Sequence, residues 1–278
     1  LHALVAHCFQ KPIFLAFQGI GPFRTKIGEW CARKVISWAT LISVRDEESY
    51  NRLAMKKRIV RHAEQSLSRA RRGVEAREWK KSTEVIQSFD PSLALLSEEK
   101  DHDRTKKLFI YIPRVSTDSK RGVQDDTQLF SGIQSGEWKV RIVSLEPTDP
   151  RERMLCSSLA ASCDGDVLSV ASLQSISRDL GQASLVITER FHGALAALAQ
   201  GVPFIAIRQR EGDKLETLAK LCGCPFFDSR ELHAGRIGKM NWDEIAKDIP
   251  VIRGRCLELV QKGEDALREA LQRHSVGA

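Results

Sequence analysis

Short apolar runs alternate with amphipathic stretches of helical period along most of this chain. Alternation of this kind predicts strands and helices packed as parallel α/β layers. The predicted strands are Ile13–Phe17, Leu41–Val44, Leu108–Ile112, Val140–Leu145, Val167–Val170, Leu185–Ile187 and Phe204–Ile207. The predicted helices include Arg24–Trp38, a long one from Glu47 onward, Gly193–Gln200, Leu215–Leu221 and Asp243–Arg273, the last with a break near Pro250.

The chain divides at a polar stretch that follows Asp90 and Pro91. Residues 97–105 are almost all polar or charged, which is typical of a linker between domains. We expect the remainder of an amino-terminal domain over 1–98, a linker over 99–106, a carboxy-terminal domain over 107–240 and a helical segment over 241–278. The chain opens on Leu1 and a helix that feeds directly into the first strand, so we expect the amino-terminal part of the first domain to be missing.

Composition adds one feature to this outline, an uneven distribution of charge. The chain has 278 residues and a formal net charge of +7, and between Arg52 and Lys81 there are eleven Lys or Arg against three Glu. Apolar residues at three-four spacing place these cations on one face of a helix, which is either solvated or meets an anionic partner. No aromatic stacking platform interrupts the charges, so anionic membrane is favoured over nucleic acid as that partner.

The sequence also indicates the cellular compartment and whether a metal or disulfide is expected. No apolar run reaches the roughly 18 residues of a membrane span, and the first ten residues lack a basic start and a small-residue cleavage site. Seven cysteines without paired metal-ligand spacing favour neither a disulfide framework nor a zinc site. We expect a cytoplasmic protein that needs no metal.

The stretch Thr188–Gly193 carries the most informative candidate chemistry. Arg190 and His192 lie here where an apolar strand turns into a helix. In a parallel sheet this is the carboxyl end of a strand, where helix amides favour a bound anion. The pattern indicates an anion site with a proton carrier beside it. The alternative is that Arg190 pairs with a neighbouring carboxylate and His192 caps a helix turn.

Other cations follow predicted strands in the same way. Arg45, Arg114 and Arg208 stand at or just after the ends of three further strands. Lys214 opens a helix, where the helix dipole disfavours a cation, so it more plausibly serves an anionic ligand. The alternatives are a solvated surface position for Lys214 and an ion pair with a neighbouring carboxylate for Arg45. Arginines at four strand ends favour an anion site over chance exposure.

The segment Gln18–Pro22 follows the first predicted strand and contains Gly19 and Gly21. Its likeness to a dinucleotide-binding fingerprint is superficial, because Pro22 directly follows the second glycine and no third glycine falls at the required place. NAD is therefore not expected. Two glycines at a strand end nevertheless let backbone amides approach a ligand closely.

The ordered set of Gln18–Pro22, Ser43–Ser49, Arg190–His192, Gln200–Pro203 and Lys214 resembles the polysaccharide pyruvyl transferase family, which has bacterial cell-wall members. The resemblance spans about Ile13 to Asp228 and implies two Rossmann-like domains in a GT-B-like arrangement, with the active cleft between them. With it, we expect His192 to be catalytic. The expected substrate-binding residues are Gly19, Gly21, Arg45, Arg114, Arg190, Phe191 and Lys214. Two extra residues between Pro203 and Lys214 depart from the family pattern and weaken the assignment of Lys214.

The family's reaction fits these residues. Phosphoenolpyruvate, the donor, carries a phosphate and a carboxylate, so its site must supply several cations and still protonate the methylene carbon. Guanidinium groups bind both anions in a bidentate fashion, and imidazole exchanges protons near neutral pH. The resemblance implies a ketal formed on a sugar of a lipid-linked or polymeric glycan, without a cofactor. A basic face could then dock at the inner membrane surface.

Two other classes of function remain open. A nucleotide-sugar glycosyltransferase or epimerase on a similar fold would use the same strand ends, and would also need a contact to the ribose or base. A non-catalytic homologue would bind glycan or membrane only. Binding of phosphoenolpyruvate in preference to a nucleotide sugar separates the pyruvyl transferase from the first class.

Overall fold

The structure is a computed structural model of the chain. It describes residues 2–21, 23, 25–53, 83–97, 107–115, 130, 138–170, 172–208, 213–228, 231, 234–237 and 239–275. The chain forms two compact units, one from Leu1–Pro91 with Cys256–Ala278 and the other from Ser92–Arg255. Both contain parallel sheets, which confirms the predicted fold class. The predicted linker 99–106 and most of the basic stretch 52–81 lie outside the described residues.

The first unit has a three-stranded parallel sheet in the order β1-β2-β3. Its strands are β1 (Phe14–Gln18), β2 (Leu41–Val44) and β3 (Glu84–Gln87), and its helices are α1 (His2–Cys8) and α2 (Lys26–Trp38). Residues 47–53 are also helical. The side chain of Thr25 caps α2 by accepting a hydrogen bond from the Gly28 amide. The two strands predicted in this part of the chain lie within one residue of their expected bounds.

Strand β3 is absent from the sequence prediction. Only Val85 and Ile86 in it are apolar, so neither an alternating pattern nor an apolar run marks it. The strand pairs with β2 in a register that sets Leu41 opposite Glu84, and it buries Ile86. Pairing with β2, rather than local propensity, therefore defines this strand.

The second unit has a six-stranded parallel sheet in the order β6-β5-β4-β7-β8-β9. Its strands are β4 (Leu108–Ile112), β5 (Lys139–Ser144), β6 (Asp166–Ser169), β7 (Leu185–Thr188), β8 (Phe204–Arg208) and β9 (Phe226–Asp228). The five strands predicted here are confirmed, and the three-residue β9 is too short for a sequence signal.

The order of these strands locates the binding edge of the second unit. Counted within the unit it is 3-2-1-4-5-6, the order of dinucleotide-binding Rossmann folds. The direction of winding reverses between β4 and β7, which are paired and buried along their whole length. Ligands of such sheets bind at the carboxyl ends of the strands beside this reversal. A ligand site is therefore expected at the residues that follow Ile112 and Thr188.

The helices of the second unit are α3 (Ser92–Leu96), α4 (Pro150–Ser162), α5 (Leu173–Gly181), α6 (Phe191–Ala199), α7 (Lys214–Leu221) and α8 (Ala234–Ile237). Helix α6 is buried from Gly193 to Ala199, as its uniformly apolar sequence predicts. It begins two residues earlier than the predicted Gly193–Gln200, because Arg190 already serves as its amino-terminal cap. His192 thus lies in the first turn of this helix.

The second unit begins at α3 rather than after the predicted linker 99–106. Two buried side chains of this unit donate to the carbonyl oxygen at the end of α3. Leu96 O accepts from Ser177 Oγ at 3.1 Å and from Gln200 Nε2. Carbonyl groups at a helix end need such partners, and these tie α3 to the second unit.

The last helix, α9 (Trp242–Ser275), runs without interruption through Pro250, where the sequence predicts a break. Proline inside a helix costs about 3 kcal/mol. Burial along the helix offsets that cost, because Ile249, Cys256 and Val260 are almost fully buried. Residues from Cys256 onward belong to the first unit, so the predicted segment 241–278 is shared between the units.

Among the described residues, no helix is long and apolar enough to cross a membrane.

Most cysteines serve as core residues. Five of the seven are buried, and only Cys8 and Cys31 are exposed. Burial raises the pKa of Cys224 to about 11 and that of Cys256 to about 12. Because the thiolate is the reactive form, these thiols are unsuited to act as nucleophiles.

Candidate functional site

A cavity opens at the carboxyl ends of β4 and β7, at the reversal point of the second sheet. Its volume is about 500 Å³. The charged or titratable residues that line it are Arg114, Glu146, Arg190 and His192. The apolar residues that line it are Leu96, Leu145, Val170, Ile176, Phe191 and Ala196. A small polar ligand can therefore meet guanidinium, carboxylate and imidazole groups here.

The turn from β7 into α6 is fixed by Thr188. Its Oγ1 accepts from the Arg190 amide and donates to the Arg190 carbonyl, each at 3.0 Å. Gly193 lies directly above this hydroxyl, and a Cβ at that position would contact Thr188 Oγ1 and lie 2.9 Å from Ile112 Cδ1. The close approach explains why a glycine stands in the first turn of the helix.

We expect Gly193→Ala to destabilise the second unit by about 1–3 kcal/mol, the usual cost of overpacking. Relief of the clash would move Thr188 Oγ1 and with it the two hydrogen bonds that hold the turn. Gly254→Ala is the matched control, since a Cβ there meets nothing within 4 Å. It should be neutral or stabilising by up to about 1 kcal/mol. Urea unfolding of both variants measures the contrast, and equal midpoints would contradict it.

Arg190 is more fully engaged than the sequence indicates. Its Nε donates to Pro113 O at 3.1 Å, its Nη1 donates to Glu146 Oε1 at 2.7 Å, and its Nη2 pairs with Glu152 Oε2. The side chain is 14% exposed. The predicted alternative of an ion pair is thus present, but its carboxylates come from the loop after β5 and from α4 and are distant in sequence. Arg190 therefore lines the cavity and also links the loop after β5 to α4.

Glu152 anchors this arrangement from inside the protein. The side chain is fully buried in α4 and also accepts from Ser144 Oγ at 3.0 Å and from the Glu146 amide at 2.8 Å. Its charge adds to burial in raising the pKa of the neighbouring Cys156 thiol to about 11. A buried carboxylate with this many donors holds the end of β5, the following loop and Arg190 in one geometry.

A second buried carboxylate, Glu189, fixes the end of β4. It accepts from Tyr111 Oη at 2.7 Å and from the Arg114 amide at 3.0 Å. The Arg114 side chain is exposed and lines the cavity, and it forms no ion pair with another described residue. Arg114 is therefore the cavity cation that can reach a ligand without first losing a carboxylate partner.

His192 is exposed at the cavity wall, in the first turn of α6. The ring of Phe191 meets the imidazole edge-on, with ring centroids 5.5 Å apart. Arg190 caps the helix without a side-chain hydrogen bond among the described atoms. The positive end of the helix therefore faces the cavity beside the imidazole, which favours an anion there.

The predicted candidates Gly19, Gly21 and Arg45 belong to the first unit. Gly21 adopts a φ of +71°, a conformation that favours glycine, and the turn is held by an Ile20 amide that donates to Ser49 Oγ at 2.7 Å. Arg45 Nη1 donates to Asp90 Oδ2 at 2.7 Å. Arg45 thus pairs with the buried Asp90, which lies 45 positions away in sequence. A ligand-binding role for these residues stays a prediction.

Lys214 occupies the first position of α7, as expected, and its side chain is exposed. It is not among the described residues that line the cavity. Asp213 caps the helix by accepting from the Leu215 amide at 3.1 Å. The negative charge of this cap offsets the unfavourable position of the lysine. A substrate-binding role for Lys214 stays a prediction.

The sequence prediction misses Glu146, Glu152 and Glu189, because it considers only cations at strand ends. A signal for two of them was present. Glu146 follows β5 by two residues, and Glu189 follows β7 directly, so both share the strand-end positions used to select the arginines. Glu152 lies inside a helix of mixed polarity and gives no such signal.

Comparisons with known proteins agree with the resemblance. A family model described as polysaccharide pyruvyl transferase matches residues 2–210. A search of curated proteins found no match. HepE from Anabaena in complex with UDP-glucose is 14% identical, with a TM-score of 0.54 over 96% of this chain and 75% of that one.

Two further solved structures have the same fold. S. aureus MnaA in complex with UDP is 11% identical, with a TM-score of 0.55 over 89% of this chain and 65% of that one. A UDP-N-acetylglucosamine 2-epimerase is 10% identical, with a TM-score of 0.54 over 88% and 62%. Similarity at this identity concerns the fold alone, and it is consistent with Rossmann-like units of the GT-B type.

Proposed function

Because the chain belongs to the polysaccharide pyruvyl transferase family, we propose that it transfers a pyruvyl group from phosphoenolpyruvate to a sugar of a cell-surface or lipid-linked glycan. The observation that carries this proposal is the cavity in which Arg114, Arg190 and His192 meet. It lies at the edge of the sheet where Rossmann folds bind ligands. It also combines cations with a proton carrier, which the donor requires.

The donor binds through its two anionic groups. Arg114 offers an exposed guanidinium, and the amino terminus of α6 adds the positive end of a helix dipole. Arg190 supplies a second guanidinium at the cavity floor. Arg45, Gly19, Gly21 and Lys214 remain candidates for the remaining donor or acceptor contacts.

His192 acts as the general acid. Its protonated imidazole gives a proton to the methylene carbon of the donor, which becomes the methyl group of the ketal. Two sugar hydroxyls form the two new C–O bonds to the central carbon, and the C–O bond to phosphate breaks. One hydroxyl proton restores His192 and the other leaves with inorganic phosphate, so no oxidant, reductant or cofactor is needed.

The acceptor is a sugar of a glycan, as the family implies. The basic stretch 52–81 would suit contact with an anionic membrane that carries a lipid-linked acceptor at the inner, cytoplasmic surface. Vesicle binding with and without phosphatidylglycerol tests that part of the proposal by itself.

Donor binding tests the function. We expect calorimetry to show that the full-length protein binds phosphoenolpyruvate, with inorganic phosphate released only when a glycan acceptor is added. UDP-glucose and UDP-N-acetylglucosamine serve as competing donors. Binding of either nucleotide sugar, together with no binding of phosphoenolpyruvate, would overturn the proposal in favour of a nucleotide-sugar enzyme.

A further inference from the structure

Arg190 lies between two carboxylates that differ in accessibility. Glu152 is fully buried, whereas the side chain of Glu146 is 58% exposed. Both pair with the same guanidinium, Glu152 through Nη2 and Glu146 through Nη1. Arg190 therefore has one permanent partner on its protein side and one accessible partner on its cavity side.

The contacts of the two carboxylates show which one an entering ligand can replace. Glu152 also accepts from Ser144 Oγ and from the Glu146 amide, so its loss would leave buried donors without an acceptor. The Glu146 carboxylate has one direct ion pair among the described residues, at 2.7 Å to Arg190. Because the Glu146 carboxylate is largely exposed, water can solvate it after separation, and its loss from the pair costs little on that side.

The charges that line the cavity favour such a replacement. Arg114 and Arg190 bring two cations, but Glu146, which also lines the cavity, places a carboxylate oxygen on Nη1 of Arg190. An anionic group that approaches Arg190 would meet that carboxylate first. It can take the Nη1 hydrogen bond that Glu146 now accepts only if Glu146 moves away.

We propose that Glu146 is a resident counter-ion, which fills the anion-binding position of Arg190 and leaves it when the carboxylate or phosphate of the donor enters. This inference rests on the proposed function for the identity of the donor. Glu146 thereby acts through Arg190 as a specificity residue. A neutral sugar cannot displace it, while a ligand that carries its own anionic oxygens can.

The test compares dissociation constants for phosphoenolpyruvate by calorimetry. Glu146→Gln is expected to bind the donor about two- to five-fold more tightly than wild type, which is the scale of an exposed ion pair. Its kcat should change less than its KM. Glu231→Gln is the matched control, because Glu231 is similarly exposed, pairs with Arg236 at 3.7 Å and lies outside the lining of the cavity. It should bind the donor like wild type.

A second variant separates displacement from a change in local charge. Glu146→Asp keeps the charge but withdraws the carboxylate from Arg190 by one methylene, so it should also bind the donor more tightly than wild type. A gain confined to Glu146→Gln would overturn the displacement. So would an unchanged donor affinity together with a raised KM for the glycan, which would assign Glu146 to the acceptor.

Pyruvate and inorganic phosphate, used as separate probes, identify the group that replaces Glu146. The probe whose affinity rises in Glu146→Gln carries that group. If wild type fails to bind phosphoenolpyruvate while either probe still binds the variant more tightly, the result supports the counter-ion role of Glu146 and contradicts the proposed function. If phosphoenolpyruvate binds wild type and no affinity changes in the variant, the result supports the proposed function and contradicts the counter-ion role.

Discussion

Replacement of His192 by Gln is expected to lower kcat for pyruvyl transfer by about 10²–10⁴-fold, the usual contribution of general acid–base catalysis. Gln keeps a similar volume and a hydrogen-bonding group but cannot deliver a proton at neutral pH. His192 is exposed at the cavity wall, so the substitution leaves the buried core intact. The KM for phosphoenolpyruvate should change little, because Arg114 and Arg190 keep their places.

The rate is measured as acceptor-dependent release of phosphate by the full-length protein. His274→Gln is the control, since His274 is exposed near the end of α9 beside Phe14 and does not line the cavity. It should retain the wild-type rate. If His192→Gln also turned over at the wild-type rate, His192 would not be the general acid. It would then have only a structural role in the first turn of α6.

The pH dependence of the same variant separates chemistry from positioning. When a titrating acid is lost, the limb of the kcat profile that it produces should disappear. A residue that only positions the donor would lower the rate equally at every pH. His192 is expected to give the first result.

The central architecture follows from local sequence. Leu108–Ile112 and Leu185–Thr188 are uninterrupted apolar runs, and they form the two buried strands at the reversal of the sheet. Because ligands gather at the carboxyl ends of such strands, the sequence alone indicates Arg114, Arg190 and His192 as candidates. The structure places these three residues in the lining of one cavity, and their chemical roles remain predictions.

The partners of the predicted cations do not follow from local sequence. Arg190 pairs with carboxylates 38 and 44 positions away, and Arg45 pairs with one 45 positions away. These contacts depend on how strands are ordered across a sheet, which no local pattern encodes. Strand β3 is a similar case. Its four residues lack a strand pattern of their own, and the strand forms by pairing with β2.

Loss of the Glu152 carboxylate is expected to have the largest effect on stability. Glu152→Ala should lower the free energy of unfolding of the second unit by about 3–5 kcal/mol, the cost of removing one partner from a buried ion pair. The guanidinium of Arg190 would keep Glu146 as its carboxylate partner, and Ser144 Oγ and the Glu146 amide would lose their acceptor. Glu152→Gln should lose less, because its amide oxygen can still accept a hydrogen bond.

Urea unfolding, with hydrogen exchange of peptides from β5 and α4, measures the effect in the second unit. Glu231→Ala is the surface control and should lie within about 0.5 kcal/mol of wild type. The double variant Glu152→Ala, Arg190→Met distinguishes two causes of lost stability: breakage of the ion pair, and the cavity left by the shorter side chain. Removal of both charges should cost less than the two single changes added together, because neither partner is then left buried alone. Strict additivity, or a Glu152→Ala protein as stable as wild type, would show that Glu152 does not anchor Arg190.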